Sequence, residues 1–147
     1  LNNQLTDFSL APNKNGQWVA NRVQANKRPR SSMAPMMVFN KDKSLKLLVG
    51  APGGSRIINY VAQTIIGVLD WELDPQEAIN LPKVTNRNYV TTLERGTSAE
   101  ALKPLLEAKR HKVQIRDLNS GIHAIEVTGD GLVGGADPRR EGVVLAK

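Results

Sequence analysis

Pro52-Gly53-Gly54-Ser55-Arg56 separates a strand-like run, Leu45-Lys46-Leu47-Leu48-Val49-Gly50, from a helix-like run, Ile57 to Leu69. Two consecutive glycines let the backbone bend where a Cβ would clash. The bend leaves backbone N–H groups unpaired at the start of a helix, where the helix dipole adds positive potential. Three uses follow: binding an anion such as phosphate, stabilising the oxyanion of an acyl transfer, or making a plain corner. Spacing argues against the phosphate motifs. The Gly-Lys-Ser/Thr ending of a Walker loop is absent, and Gly50, Gly53 and Gly54 lack the spacing of a dinucleotide fingerprint. An oxyanion role remains open and needs a nucleophile from elsewhere.

The 147 residues suffice for one domain with a real core. A hydrophobic content of 40% with 23% charged residues is that of a globular chain. No apolar run is long enough to span a membrane. The polar start Leu1-Asn2-Asn3-Gln4 does not resemble a signal peptide. Cysteine is absent, which excludes disulfides, thiol catalysis and cysteine-ligated metals. The net charge of +6, with a cluster at Lys27-Arg28-Pro29-Arg30, raises the question of nucleic acid. Only 4% of residues are aromatic, so stacking platforms for bases are few, and no nucleic-acid motif occurs. A basic chain of this kind can equally pair with a more acidic partner.

Residues 1–32 are polar and read as loop, with a short strand around Trp18-Val19-Ala20. Met33 to Phe39 reads as a buried strand. It is joined through Asn40-Lys41-Asp42-Lys43 to a second strand, Leu45 to Val49, as a hairpin. Ile57, Ile58, Val61, Ile65, Ile66 and Leu69 have helical spacing, and their β-branching predicts a deeply buried helix. Asp74-Pro75-Gln76-Glu77 is a helix start that stops before Pro82. Tyr89 to Leu93 is a candidate strand. A helix from Ser98 would bury Leu102, Leu105, Leu106 and Ala108, with Pro104 marking a later entry or a kink. Strands are expected over Lys112 to Leu118 and Ile122 to Val127. A turn at Gly129-Asp130-Gly131 then leads to Leu132-Val133-Gly134, and Ala136 to Arg140 is a turn. The pattern implies an antiparallel or mixed sheet under helices.

Four groups carry candidate chemistry. Gly53 and Gly54 could supply amides to an oxyanion. Ser31 and Ser32, beside Arg28 and Arg30, could donate to a carboxylate, or form an ordinary polar loop. Gln4, Thr6 and Asp7 could hold an ammonium group, or Asp7 could serve an Asx turn. His111 and His123 have no neighbouring ligands or triad partners, so no metal site is expected.

Four segments occur in order: Leu1-Asn2-Asn3-Gln4-Leu5-Thr6-Asp7-Phe8-Ser9, Asn26 to Pro35 with Arg30-Ser31-Ser32-Met33, Gly50 to Ile58 with Pro52-Gly53-Gly54-Ser55-Arg56, and Gly134-Gly135-Ala136-Asp137-Pro138-Arg139. Together they resemble the gamma-glutamyltransferase (gamma-glutamyltranspeptidase) family, in the C-terminal part of its small subunit. The resemblance implies an α+β fold: part of a four-layer αββα sandwich of N-terminal-nucleophile hydrolases, with a mostly antiparallel sheet and helices packed on it. It implies residues 1–147 as a single domain fragment. It implies a self-cleaving precursor whose new N-terminal Thr attacks a gamma-glutamyl amide. By the same resemblance Gly53 and Gly54 form the oxyanion hole. Ser31 and Ser32 hold the substrate α-carboxylate, and Gln4 and Asp7 hold the α-amino group. No cofactor is implied.

The nucleophilic Thr of the family lies upstream of the matching segment, and the Arg that pairs with the substrate carboxylate belongs to the large subunit. The expected partners are therefore the large subunit, the N-terminal part of the small subunit, and a gamma-glutamyl substrate such as glutathione. Neither nucleic acid nor membrane is expected, the isolated chain is expected to be inactive, and a periplasmic or secreted setting is favoured. Two departures bear on specificity. Thr6 stands where the family often has a first acid, which leaves Asp7 as the main ammonium contact. The stretch Leu10 to Asn26 is shorter than in members with a lid over the pocket. A cephalosporin- or glutaryl-acylase-like amidohydrolase of the same family is thus an alternative, and a non-catalytic basic binding module is the alternative of another class.

Overall fold

The computed structural model describes residues 3–145. Two compact units are present, Leu1–Ser32 and Met33–Lys147. In the first, large apolar side chains such as Leu5, Leu10, Trp18 and Val23 are exposed, so polar contacts do most of the ordering. A 3-10 turn spans Gln4–Asp7. Strands β1 (Asn13–Lys14) and β2 (Gln17–Trp18) pair antiparallel around Asn15-Gly16, whose φ values of 52° and 76° match a primed hairpin turn. The strand expected at Trp18-Val19-Ala20 is therefore this hairpin, and Ala20 falls in the next turn. The Arg22 guanidinium lies 5.0 Å from the Trp18 ring centroid, a cation–π contact.

The second unit contains β3 (Met36–Phe39), β4 (Leu45–Gly50), α1 (Ile57–Leu69), α2 (Pro75–Asn80), β5 (Val84–Arg87), β6 (Val90–Glu94), α3 (Lys103–Ala108), β7 (Lys112–Arg116), β8 (His123–Thr128) and β9 (Gly131–Ala136). One sheet has the order β3-β4-β8-β9 and is antiparallel throughout. The other has the order β5-β6-β7, with β6 and β7 parallel. A parallel pair requires a crossover, which the 3-10 turn Ser98–Leu102 and α3 provide.

The core lies between β4, β8 and the helices. Alternation in β4 turns Leu47 and Val49 inward, where Ala124 and Ile122 join them. Ile57, Tyr60, Val61 and Val68 of α1, with Ala78 and Ile79 of α2, close that core from above. Their spacing is the apolar stripe of an amphipathic helix. Asp74 starts α2 with a complete capping box: its carboxylate accepts from Glu77 N–H at 2.9 Å, and its own N–H donates to the Glu77 carboxylate at 3.3 Å. Among the described residues no helix is long and apolar enough to cross a membrane.

Several expectations are corrected. β3 is an edge strand, and Met36, Met37 and Phe39 are 44% to 65% exposed rather than buried. An apolar run reveals that a face can be covered, not that anything covers it. α1 is buried on one face only, with Ile58 57% and Ile66 42% exposed. The helix from Ser98 is a 3-10 turn that becomes α-helical at Lys103, just before Pro104, where a missing N–H costs nothing. Leu102, Leu105 and Ala108 are exposed, and no residue of this six-residue helix is buried. Tyr89 is not in a strand: it has φ 68°, is 90% exposed, and shares the β5–β6 turn with Asn88. β5 was not anticipated, because Val84-Thr85-Asn86-Arg87 carries a single apolar residue.

Candidate active-site residues

Gly53 and Gly54 lie between β4 and α1 with φ values of 136° and 59°. Side chains rarely adopt either conformation. The turn is closed by Arg56 N–H donating to Gly53 O at 3.4 Å and Ile57 N–H donating to Gly54 O. Among the described residues, the Gly53 and Gly54 N–H groups donate to no carbonyl or side chain. Two adjacent N–H groups left open at the entrance to a 13-residue helix suit a partial or full negative charge. Open N–H donors of this kind are what an oxyanion-binding turn needs to offer.

Three contacts hold the turn. The edge of the Tyr60 ring lies where a Gly53 side chain would be, 3.0 Å from an ideal Cβ. Pro52 packs on Gly121, whose own Cβ would meet Pro52 Cγ at 2.9 Å. Arg56 Nε donates to Thr85 Oγ1 at 3.3 Å, tying the turn to β5.

Behind it lies a buried ionic cluster that sequence reasoning missed. Asp137 is 1% exposed and Lys83 is fully buried. Asp137 Oδ2 accepts from the Ser120 hydroxyl, from Gly121 N–H at 3.0 Å and from Ile122 N–H at 3.1 Å. Its Oδ1 accepts from Arg139 N–H at 3.0 Å and Arg139 Nη1 at 3.1 Å. Burial alone pushes this carboxyl up, but the Ser120 hydroxyl and the N–H and guanidinium donors outweigh it and hold it below the ordinary value. Arg139 also grips Glu94 and donates to the carbonyls of Ile79 and Leu81, both at 3.2 Å, at the end of α2. Lys83 donates from Nζ to Ile79 O at 2.7 Å. Burial, with the Arg139 charge nearby, lowers its ammonium to about 8 against the pull of Asp137 and Glu94. Charged residues scattered over positions 83, 94, 137 and 139 carry no periodic signal. Only the Asp-Pro-Arg turn hinted at a fixed role for Asp137 and Arg139.

Gln4, Asp7, Ser31 and Ser32 belong to the first unit. Gln4, Asp7 and Ser32 are half-buried and Ser31 is exposed. Asn21, which sequence reasoning passed over, links their segments. Its Nδ2 donates to Asp7 O at 2.7 Å, its Oδ1 accepts from Arg30 N–H at 2.9 Å, and its carbonyl accepts from Ser9 N–H at 2.8 Å. One side chain thus joins the Gln4–Asp7 turn to the irregular segment carrying Ser31 and Ser32. Among the described residues the Asp7 carboxylate forms no ion pair. His111 and His123 are exposed.

The family model for gamma-glutamyltranspeptidase matches residues 1–147. The chain is 42% identical over 147 residues to the glutathione hydrolase proenzyme of Escherichia coli (strain K12), covering 95% of this chain and 25% of that protein. It is 33% identical over 148 residues to the acylase ACY 1 proenzyme of Pseudomonas sp. (strain SE83), covering 99% and 25%. The crystal structure of Helicobacter pylori gamma-glutamyltranspeptidase T380A superposes with a TM-score of 0.75 at 35% identity, over 95% of this chain and 81% of that one. The chain spans about a quarter of the length of the curated relatives it matches.

Proposed function

The chain belongs to the gamma-glutamyltranspeptidase family, and we propose that it is the substrate-binding and oxyanion part of an enzyme that cleaves gamma-glutamyl amides. The observation that carries this reading is the Gly53-Gly54 turn, whose two adjacent N–H groups have no partner among the described residues. In the proposed reaction an N-terminal threonine, which the family carries outside the matched segment, attacks the gamma-carbonyl carbon. The carbonyl oxygen becomes an oxyanion and accepts from the Gly53 and Gly54 amides. Ser31 and Ser32 donate to the substrate α-carboxylate. Asp7, with Gln4, takes the α-ammonium, and a half-buried carboxylate without an ion pair among the described residues suits that task. The remainder of the precursor, including the large subunit, completes the enzyme, and the isolated segment is inactive. Glutathione is the representative substrate.

The test is Asp7→Asn in the full-length protein, assayed on a gamma-glutamyl anilide and on its glutaryl counterpart. The variant raises KM for the glutamyl substrate and leaves the glutaryl one unaffected, because only the first carries an ammonium group. Unchanged KM and kcat for both would sink the ammonium role. A second reading, a glutaryl- or cephalosporin-acylase-like amidohydrolase, draws on the acylase relative at 33% identity. It predicts that the unaltered enzyme prefers the glutaryl substrate.

A further inference from the structure

We propose that Tyr60 is a positioning residue for the Gly53 and Gly54 amides, which rests on the oxyanion reading above. Two successive glycines are the most flexible dipeptide a chain can contain, and nothing in their own structure holds a φ of 136°. Amides aimed at a developing charge must be fixed in advance, since reorganising during the reaction cancels the benefit. The restraint must therefore come from outside the pair.

Tyr60 supplies it. It sits on α1 within the core cluster formed by Leu47, Val49, Ile57 and Val61, and is 1% exposed. Its Cε2 and Cδ2 atoms would lie 3.0 and 3.4 Å from a Gly53 Cβ, so the ring edge occupies the space a side chain would fill. A flat, immobile wall at that spot blocks the backbone from rotating inward. The contact uses ring carbons and leaves the hydroxyl out of it. Gly121 completes the brace on the Pro52 side. Its φ is 74°, its N–H is held by Asp137, and Pro52 and Arg140 fill its Cβ position. Tyr60 touches no substrate in this scheme and acts only through the backbone of Gly53.

The test uses the full-length protein with Tyr60→Met, Tyr60→Phe and, as reference, Gly53→Ala. Four quantities are measured: kcat and KM for a gamma-glutamyl anilide, affinity for a boronic-acid analogue of glutamate that forms a tetrahedral adduct, and affinity for free glutamate. Tyr60→Met lowers kcat and boronate affinity together, by about tenfold or more, with KM and glutamate affinity within about twofold. Tyr60→Phe keeps the ring carbons and behaves as the unaltered enzyme. A role in stability alone would lower the melting temperature without separating kcat from KM or boronate from glutamate. If Tyr60→Met retains kcat and boronate affinity while Gly53→Ala loses both, the bracing role is overturned and the oxyanion reading stands. If Gly53→Ala also leaves boronate affinity intact, the oxyanion reading falls and takes this proposal with it. Where Tyr60→Met does not accumulate folded, Tyr60→Leu makes the same comparison. A loss of kcat in a folded Tyr60→Phe variant would also overturn the proposal, because the hydroxyl would then be the active part.

Discussion

Arg139 holds Glu94 through one edge of its guanidinium: Nε donates to Oε1, and Nη2 donates to Oε2 at 2.9 Å. The two residues are 45 positions apart, and their side chains are 15% and 9% exposed. The same guanidinium reaches Asp137 and the end of α2. Arg139→Ala leaves two buried carboxylates without their cation, and a loss of about 3–5 kcal/mol is expected. Arg139→Lys keeps the charge but lacks the planar fork, so its loss is smaller. Denaturant unfolding of the full-length protein measures both. An alanine variant of unchanged stability would show that the cluster contributes little.

Lys83 should make stability rise with alkaline pH. Burial, reinforced by the Arg139 charge, sets its folded value at about 8 against an ordinary 10.5. Between those two values the unfolded chain binds the extra proton, so unfolding becomes harder as pH increases. The Tyr60 hydroxyl works in the opposite sense at higher pH, since burial pushes it above its ordinary value of 10. The useful window is therefore pH 8 to 10. Lys83→Met removes the slope in this window and leaves no orphaned acceptor, because Ile79 O still receives Arg139 Nη1. Equal slopes in the two proteins would refute the assignment.

Gly53 and Gly54 should differ in their tolerance of a methyl group. At Gly54 the space is open and the cost is the left-handed backbone alone, about 1–2 kcal/mol for alanine. At Gly53 the φ of 136° is more restrictive, and the new methyl meets the Tyr60 ring. Gly53→Ala is expected to destabilise the protein more than Gly54→Ala and to reduce kcat more. Thermal melts and steady-state kinetics on the pair decide it, and the reverse order would count against the observed backbone.

Asn21→Ala should loosen the first unit. It removes the bonds to Asp7 O and Arg30 N–H, each worth about 1 kcal/mol. The expected result is a higher KM for the gamma-glutamyl substrate, little change in kcat, and faster amide exchange at Ser9 and Arg30. Unchanged exchange at both amides would show that other contacts hold these segments.

The legible parts of this molecule are those in which neighbouring residues decide the outcome. The glycine bend after β4, the helix start at Asp74, the β3–β4 hairpin and the turn at Gly129-Asp130-Gly131 all stand where local sterics and alternation predicted them. The exposed Leu105 and Met37 show the limit. Hydrophobic spacing identifies a face, while coverage of that face depends on elements elsewhere. β5 escaped notice for the converse reason: Thr85 is buried although it is polar, because Arg56 and its strand neighbours satisfy it.

The sequence by itself determined the order of local elements, the positions at which only glycine serves, and the family, through motifs that recur in a fixed order. Backbone sterics act within a few residues, so they can be read from a string. Tertiary structure alone decided that Asp137, Arg139, Glu94 and Lys83 form one buried cluster, that Asn21 joins two segments of the first unit, and that Tyr60 stands against Gly53. These arrangements join residues distant along the chain, and their electrostatic weight appears only once folding has removed the water between them.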